Sequence, residues 1–181
     1  MDVTTAGTLR IERATERDVP LILRLIKELA EYERMSDEVI ASEDGLRRTL
    51  FGPHPAAEVV VGYAGDEPAG FALFFHNYST FLGKPGLYLE DLFVVPKFRG
   101  RGYGKALLVH LATLAVERDC GRFEWSVLDW NRSAIAFYEG IGATVLSDWR
   151  IVRLTGAAIA QLASQAVPQA GGGGAGFADR P

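Results

Sequence analysis

Residues Arg99-Gly100-Arg101-Gly102-Tyr103-Gly104-Lys105 stand between an apolar, strand-like run and an amphipathic, helix-like one, and read Arg-x-x-Gly-x-Gly. Glycines at that spacing let backbone N–H groups approach a ligand that a Cβ would hold off. A helix starting there adds unpaired donors and the positive end of its dipole. The combination suits phosphate oxygens. Just upstream, Leu87-Tyr88-Leu89-Glu90-Asp91-Leu92-Phe93-Val94-Val95 carries two carboxylates inside an otherwise apolar strand. Acids in such a place hold cations or accept protons. The pair of features points to an enzyme that grips a phosphorylated cofactor and moves protons beside it.

Other phosphate loops fit less well. A Walker loop requires Gly-Lys-Ser/Thr, and Gly104-Lys105 is followed by Ala106. A dinucleotide fingerprint, Gly-x-Gly-x-x-Gly, requires a glycine where Lys105 or Leu107 stands. Taken by itself, the stretch reads equally as a glycine-rich turn at a helix start.

The elements that must position these residues follow from periodicity. Thr8 to Arg13 alternates as a short strand. Thr15 and Asp18 resemble a capping box, and Pro20 falls in the first turn of a helix whose apolar residues Leu21, Leu25, Ile26 and Leu29 recur through about Met35. Ser42 to Leu50 reads as a second helix, and Glu58–Ala64 and Ala69–Phe75 as strands joined at Gly65-Asp66. Asn77 to Gly86 reads as a loop, and Pro96 ends the acidic strand. Leu107, Leu111, Leu114 and Ala115 give the next helix its apolar face. Phe123–Leu128 is a strand, and Asn131 caps a helix through Tyr138 and Glu139 that Gly140 and Gly142 stop. Thr144–Leu154 reads as a last, interrupted strand and Thr155–Ala166 as a short helix. The reading is one α/β domain over residues 8–163, a mixed sheet with helices on its faces, and a Gly-rich, disordered tail over 164–181.

Composition narrows the partners. The 181-residue chain has a net charge of −4, which argues against nucleic acid. No apolar run nears the ~20 residues of a membrane span, and His54, His76 and His110 lack a metal-ligand spacing. The first residues lack the order of a secretory leader, and the single cysteine, Cys120, cannot form an internal disulfide; the expectation is a cytoplasmic protein without metal. Charge is unevenly distributed. Lys97, Arg99, Arg101 and Lys105 cluster with no acid between Leu92 and Val116, whereas Glu28, Glu31, Glu33, Glu90 and Asp91 lie elsewhere. A cleft between the two regions suits an anionic cofactor and a cationic substrate.

Glu90 to Lys105, with Asn131 to Tyr138, resembles the acetyl-CoA-binding core of the GNAT family of N-acetyltransferases. Ile22-Leu23-Arg24-Leu25-Ile26-Lys27-Glu28-Leu29-Ala30 with Tyr32-Glu33, then Tyr88-Leu89-Glu90-Asp91, then Trp130-Asn131 with Phe137-Tyr138, are similar to the spermidine/spermine and thialysine acetyltransferase branch. The resemblance implies a mixed sheet of about seven strands, splayed near Glu90 for the pantetheine arm of acetyl-CoA. It implies backbone contacts to the cofactor at Leu92, Phe93 and Val94, and a pyrophosphate loop of Arg99, Gly100, Arg101, Gly102, Tyr103, Gly104 and Lys105. Further cofactor contacts fall to Asn131, Arg132, Ser133 and Ala134. Tyr138 becomes the acid that protonates the leaving thiolate and Glu90 the proton relay. Tyr32, Glu33, Glu90, Asp91, Glu124, Trp125 and Ser126 become substrate contacts. A homodimer is also implied. In the loop Asn77 to Lys84, Ser79 and Phe81 replace the Asp and Trp of polyamine enzymes, which favours a compact, thialysine-like amine over spermidine or spermine.

The chemistry is coherent on general grounds. An alkylammonium of pKa near 10.4 is neutral in only about 1 in 2,500 molecules at pH 7, so a base must take its proton at a cost of about 4.6 kcal/mol. A carboxylate such as Glu90 can do so, directly or through a water. Thiol and phenol have comparable acidity, so proton transfer from Tyr138 to a thiolate is not strongly uphill. On residue type alone, Glu90 reads as well as a core carboxylate or ion-pair partner, and Tyr138 and Trp125 as core aromatics. A non-catalytic acyl-CoA sensor and a protein N-acetyltransferase stand as alternatives to the small-amine enzyme.

Overall fold

The computed structural model describes residues 9–166, and the chain divides into two compact units, Met1–Leu128 and Asp129–Pro181. The expected tail over 164–181 lies, from residue 167 on, outside the described residues.

The first unit is one mixed sheet with helices on both faces. In chain order it contains β1 (Leu9–Arg13), α1 (Val19–Glu33), α2 (Glu43–Phe51), β2 (Glu58–Ala64), β3 (Glu67–Ser79), β4 (Lys84–Val94), α3 (Tyr103–Glu117) and β5 (Arg122–Trp125). The strands lie in sequence order, β1 through β4 antiparallel and β5 parallel to β4. The crossover that a parallel pair demands is α3.

Helix α1 forms because its apolar residues keep helical spacing. Val19, Ile22, Leu25 and Leu29 are buried, while Arg24 and Glu28 pair one turn apart on the outside at 3.1 Å. Pro20 fits the first turn, and Arg34 ends the helix in the left-handed region at φ 63°. The buried stripe joins Phe71, Phe93, Val59 and Val61 in a core beneath α1 and α2. Each such side chain contributes about 1.5–3 kcal/mol by leaving water. Helix α3 covers the other face, where Val94 meets Tyr103 and Phe74 meets the Arg118 guanidinium. Arg118 is anchored there by Glu58, which accepts from it at 3.0 Å and whose carboxyl that bond holds below its usual range.

Two expectations from the sequence need correction. Asn77 to Gly86 is not a loop: β3 runs to Ser79, β4 starts at Lys84, and pairing across the hairpin continues to Ser79↔Lys84. Thr144 to Leu154 contains no strand, and the sheet has five strands among the described residues rather than about seven. Ser147-Asp148 forms a turn in that segment, with Trp149 N donating to Leu146 O, so the run is broken before it can form a ladder. The second unit contributes α4 (Arg132–Gly140) and α5 (Ala157–Ala163).

Candidate active site

The central feature of the first unit is a gap in its sheet. Strand β5 pairs with β4 only from Gly86↔Arg122 to Leu89↔Trp125. From Asp91 to Val94, β4 keeps β3 on one side and, among the described residues, has no strand partner on the other. Phe93 turns its carbonyl toward β3, where a Cβ on Gly70 would stand 2.4 Å from it, and its ring is buried in the α1 core. Val95 N donates to Ala69 O in the same register. Backbone groups alternate sides in an antiparallel ladder, so those of Leu92 and Val94 face the gap. An extended, amide-bearing arm can pair with that edge as an added strand. Of the three residues expected to offer backbone there, Phe93 supports the edge and its two neighbours present it.

A β-bulge marks the start of the gap. Leu73 pairs with Asp91 and Phe74 with Leu89, which leaves Glu90 as the extra residue. Strict alternation would put Glu90 on the face of Tyr88 and Asp91 on the opposite one. The bulge resets the pattern, so Asp91 shares the α1 face with Leu73 and Phe93. Glu90 is exposed at the bend. Asp91 is pushed up to about 6, first by burial and then by the charges of Glu90 and Glu33. Burial also raises Glu33, at the end of α1. Three carboxylates from two elements therefore act on one another beside the gap. Such a cluster attracts a cation, and Asp91 is a stronger base than an ordinary carboxylate.

Beyond Val94 the chain makes a 3-10 turn (Pro96–Phe98) and enters the glycine loop. Gly100 (φ 75°) and Gly102 (φ 79°) occupy the left-handed region, and a Cβ on either would meet nothing within 4 Å. The loop's glycines thus serve backbone conformation, and they leave its outer side open. Gly102 caps α3 without a side-chain bond, and the first turn of α3 has no acid. Ala106 N donates to Gly102 O, so the N–H groups of Tyr103, Gly104 and Lys105 precede the helix's own ladder. Arg101 and Lys97 flank the Phe98 ring at 5.4 and 5.0 Å, and Lys97 also pairs with Glu67. Arg99 instead folds back, its guanidinium 4.3 Å from the Tyr32 ring centroid.

The residues expected on β5 are engaged locally. Glu124 accepts from Asn77 Nδ2 at 2.9 Å and pairs with Arg122 at 2.8 Å. Trp125 stacks near Phe123 at 4.9 Å, and Ser126 Oγ bonds Tyr88 OH at 2.8 Å. In the second unit, Asn131 caps α4 by accepting from Ala134 N at 3.2 Å and Ser133 Oγ at 3.1 Å, with Arg132 opening the helix. Tyr138 lies in the last turns of α4 with its ring 5.5 Å from that of Phe137. Sequence reasoning missed Asn77 as the partner of Glu124 and the stack of Arg99 on Tyr32. Both contacts join residues far apart in the chain, and no local pattern signals them.

No helix among the described residues is long and apolar enough to cross a membrane, and no group of His, Cys, Asp and Glu among them is placed to hold a metal ion. A splayed mixed sheet with a glycine loop opening the crossover helix defines an acyl-CoA N-acetyltransferase fold. The sequence matches the acetyltransferase (GNAT) family over residues 22–143, and the chain belongs to that family. It is 39% identical to thialysine N-epsilon-acetyltransferase of Sus scrofa, over 88% of this chain and 99% of that protein. It is 37% identical to an L-ornithine N5-acetyltransferase of Arabidopsis thaliana, over 83% and 86%. Among solved structures, an integron cassette protein from the mobile metagenome of V. cholerae superposes with a TM-score of 0.73 at 29% identity, over 86% of this chain and 97% of that one. The chain is an enzyme that transfers the acetyl group of acetyl-CoA to a small amine. The gap edge and the open glycine loop fit that coenzyme, which supplies an activated acyl thioester when bound.

Proposed function

We propose that the acceptor is the side-chain amine of a compact, thialysine-like amino acid, and that the carboxylates beside the gap select it. The observation that carries this reading is the grouping of Glu33, Glu90 and Asp91 produced by the bulge. Asp91 and Glu33, the less exposed acids, hold the ammonium together with Tyr32. Glu90, exposed to water, takes the proton so that the neutral nitrogen can attack. The N–H of Leu92 faces the gap and stabilises the oxyanion that attack creates. Tyr138 donates its phenolic proton to the leaving sulfur. Leu92 and Val94 line the arm of the coenzyme, residues 99–105 its diphosphate, and Asn131 to Ala134 complete the cofactor contacts. Glu124, Trp125 and Ser126 form a substrate wall in which Glu124 is held by Asn77 and Arg122.

Two of the relatives named above carry thialysine and ornithine in their names, both amino acids with a short side-chain amine. A polyamine acceptor is the second reading, favoured by the 33% identity to a human spermidine/spermine N(1)-acetyltransferase-like protein. The kcat/KM values for thialysine, ornithine, lysine, putrescine and spermidine with acetyl-CoA decide between them. Thialysine or ornithine is expected to lead spermidine by at least tenfold, and the reverse order overturns the assignment. Enzyme that binds acetyl-CoA but acetylates none of them supports a sensor instead.

The working enzyme is a homodimer in a reducing cytoplasm. Trp149, Ile151, Val152 and Leu154 are all exposed, Val152 by 92%, which is apolar surface that a second copy would bury. Sedimentation velocity is expected to give twice the chain mass, and a concentration-independent monomer removes the dimer from the proposal.

A further inference from the structure

Arg99 opens the phosphate loop, yet its side chain is committed elsewhere. Its Nε donates to Val94 O at 3.0 Å. Its guanidinium carbon stands 4.3 Å from the centroid of Tyr32 and 5.6 Å from that of Phe93. These partners belong to different parts of the site. Val94 O closes the end of the gap-facing edge, Tyr32 lies in the last turn of α1 immediately before Glu33, and Phe93 belongs to the core beneath α1. A guanidinium suits this position because it is flat and weakly hydrated. It lies on an aromatic face and still aims an N–H at a carbonyl, which an ammonium cannot do with the same geometry.

The main chain of Arg99 continues directly into Gly100, so the loop cannot move without drawing on the Tyr32 stack. The Tyr32–Glu33 turn likewise cannot shift without releasing Arg99. We infer that Arg99 is a positioning residue that couples the coenzyme loop to the amine-holding turn, so that each ligand tightens the other through the Arg99–Tyr32 stack. The inference rests on the assignment of loop and carboxylates under Proposed function. Coupling of this kind is reciprocal between the two ligands in binding free energy, and because the stack holds Arg99 at the mouth of the loop, removing Tyr32 is expected to weaken coenzyme binding even without amine.

The test is calorimetric binding of acetyl-CoA in the absence of amine, with amine KM and kcat measured at saturating acetyl-CoA. The proteins are wild type, Tyr32→Phe, Tyr32→Leu, Arg99→Lys and the Tyr32→Leu/Arg99→Lys double variant. Tyr32→Leu is expected to weaken acetyl-CoA binding about 3- to 10-fold, whereas Tyr32→Phe, which keeps the ring, stays within about twofold. Arg99→Lys is expected to raise amine KM by a similar factor with a smaller effect on kcat. The double variant is expected to bind acetyl-CoA no more weakly than Arg99→Lys alone, because the stack is lost only once. Unchanged acetyl-CoA affinity in Tyr32→Leu, or a double variant equal to the product of the singles, overturns the coupling. Wild-type protein that binds no acetyl-CoA overturns the site assignment itself, which separates the two failures.

Discussion

The two compact units differ in what holds them together. The first carries every buried side chain among the described residues, and Ile22, Leu25, Phe71, Phe74, Leu87, Leu107 and Leu111 are fully or almost fully inaccessible. In the second, no described residue is buried, and Trp149, Ile151 and Val152 face solvent. The candidate chemistry is divided along the same line. The gap edge, the glycine loop and the carboxylates belong to the frame that stabilises itself. Tyr138 and Asn131 belong to the second unit, on the helix that Asn131 itself caps. The comparison teaches that the carboxylates and the glycine loop sit on a buried core, whereas the proposed proton donor and the cofactor contacts proposed at Asn131 to Ala134 sit on elements without one. Substitutions in the second unit should therefore change turnover without loosening the frame.

The sharpest way to break this comparison is Tyr138→Phe. Removing one hydroxyl from a half-buried ring leaves α4 intact and removes the proposed proton donor. Turnover is expected to fall about 10²- to 10³-fold, with acetyl-CoA affinity and amine KM within about twofold. Steady-state kinetics with calorimetric coenzyme binding gives both numbers. Equal losses in turnover and affinity would instead make Tyr138 a binding residue and erase the division between the units.

Glu90→Gln is expected to have the next largest effect, and its signature is pH dependence. At pH 7 almost all of the amine is protonated, and losing the acceptor is expected to lower kcat/KM by about 10²-fold. As pH approaches the amine's own pKa, the base has less to do and the defect should shrink. A defect that stays constant from pH 7 to 10 contradicts a proton relay and leaves Glu90 as a charge that attracts the substrate.

Much of the frame was legible because its signals are local. The helical spacing of α1, Pro96 at the end of β4 and Arg-x-x-Gly-x-Gly at a strand-to-helix junction all act within a few residues. The bulge was not legible. Leu89-Glu90-Asp91 has ordinary strand chemistry, and only its register against Leu73 and Phe74 shows which residue is extra. The extension of the β3–β4 hairpin through Asn77 to Ser79 was hidden for the same reason, since polar and aromatic residues there read as a loop until their partners are known. Arg99 read as a phosphate-loop cation because nothing near it in sequence announces Tyr32. Thr144 to Leu154 failed in the opposite direction: its apolar residues suggest an interrupted strand, and no neighbouring strand among the described residues supplies the partner that would make it real.

Asp91→Asn carries the smallest change and sharpens the comparison from inside the stable unit. Asp91 titrates near 6 when folded and near 3.9 when the chain is unfolded. Between those values the folded protein binds more protons than the unfolded chain, so stability falls as pH rises through about 4 to 6 and then levels off. Above that window the ionised, half-buried carboxylate costs up to about 3 kcal/mol, because burial holds its value at about 6, above the ordinary carboxylate range. Asparagine cannot ionise, so the variant is expected to be more stable than wild type at pH 7.5 and to show no gain at pH 3.5. Denaturant unfolding at both values measures the difference. A bound ammonium would reverse the strain on Asp91 by pairing with it, so the stabilised variant should also have a higher amine KM at pH 7.5. In the wild type, amine KM should rise as pH drops below about 6 and the carboxylate is neutralised, and that rise should flatten in Asp91→Asn. Stability gained without a penalty in amine binding would mean that the bulge strains Asp91 for no substrate, and the acceptor site would then have to be sought along β5.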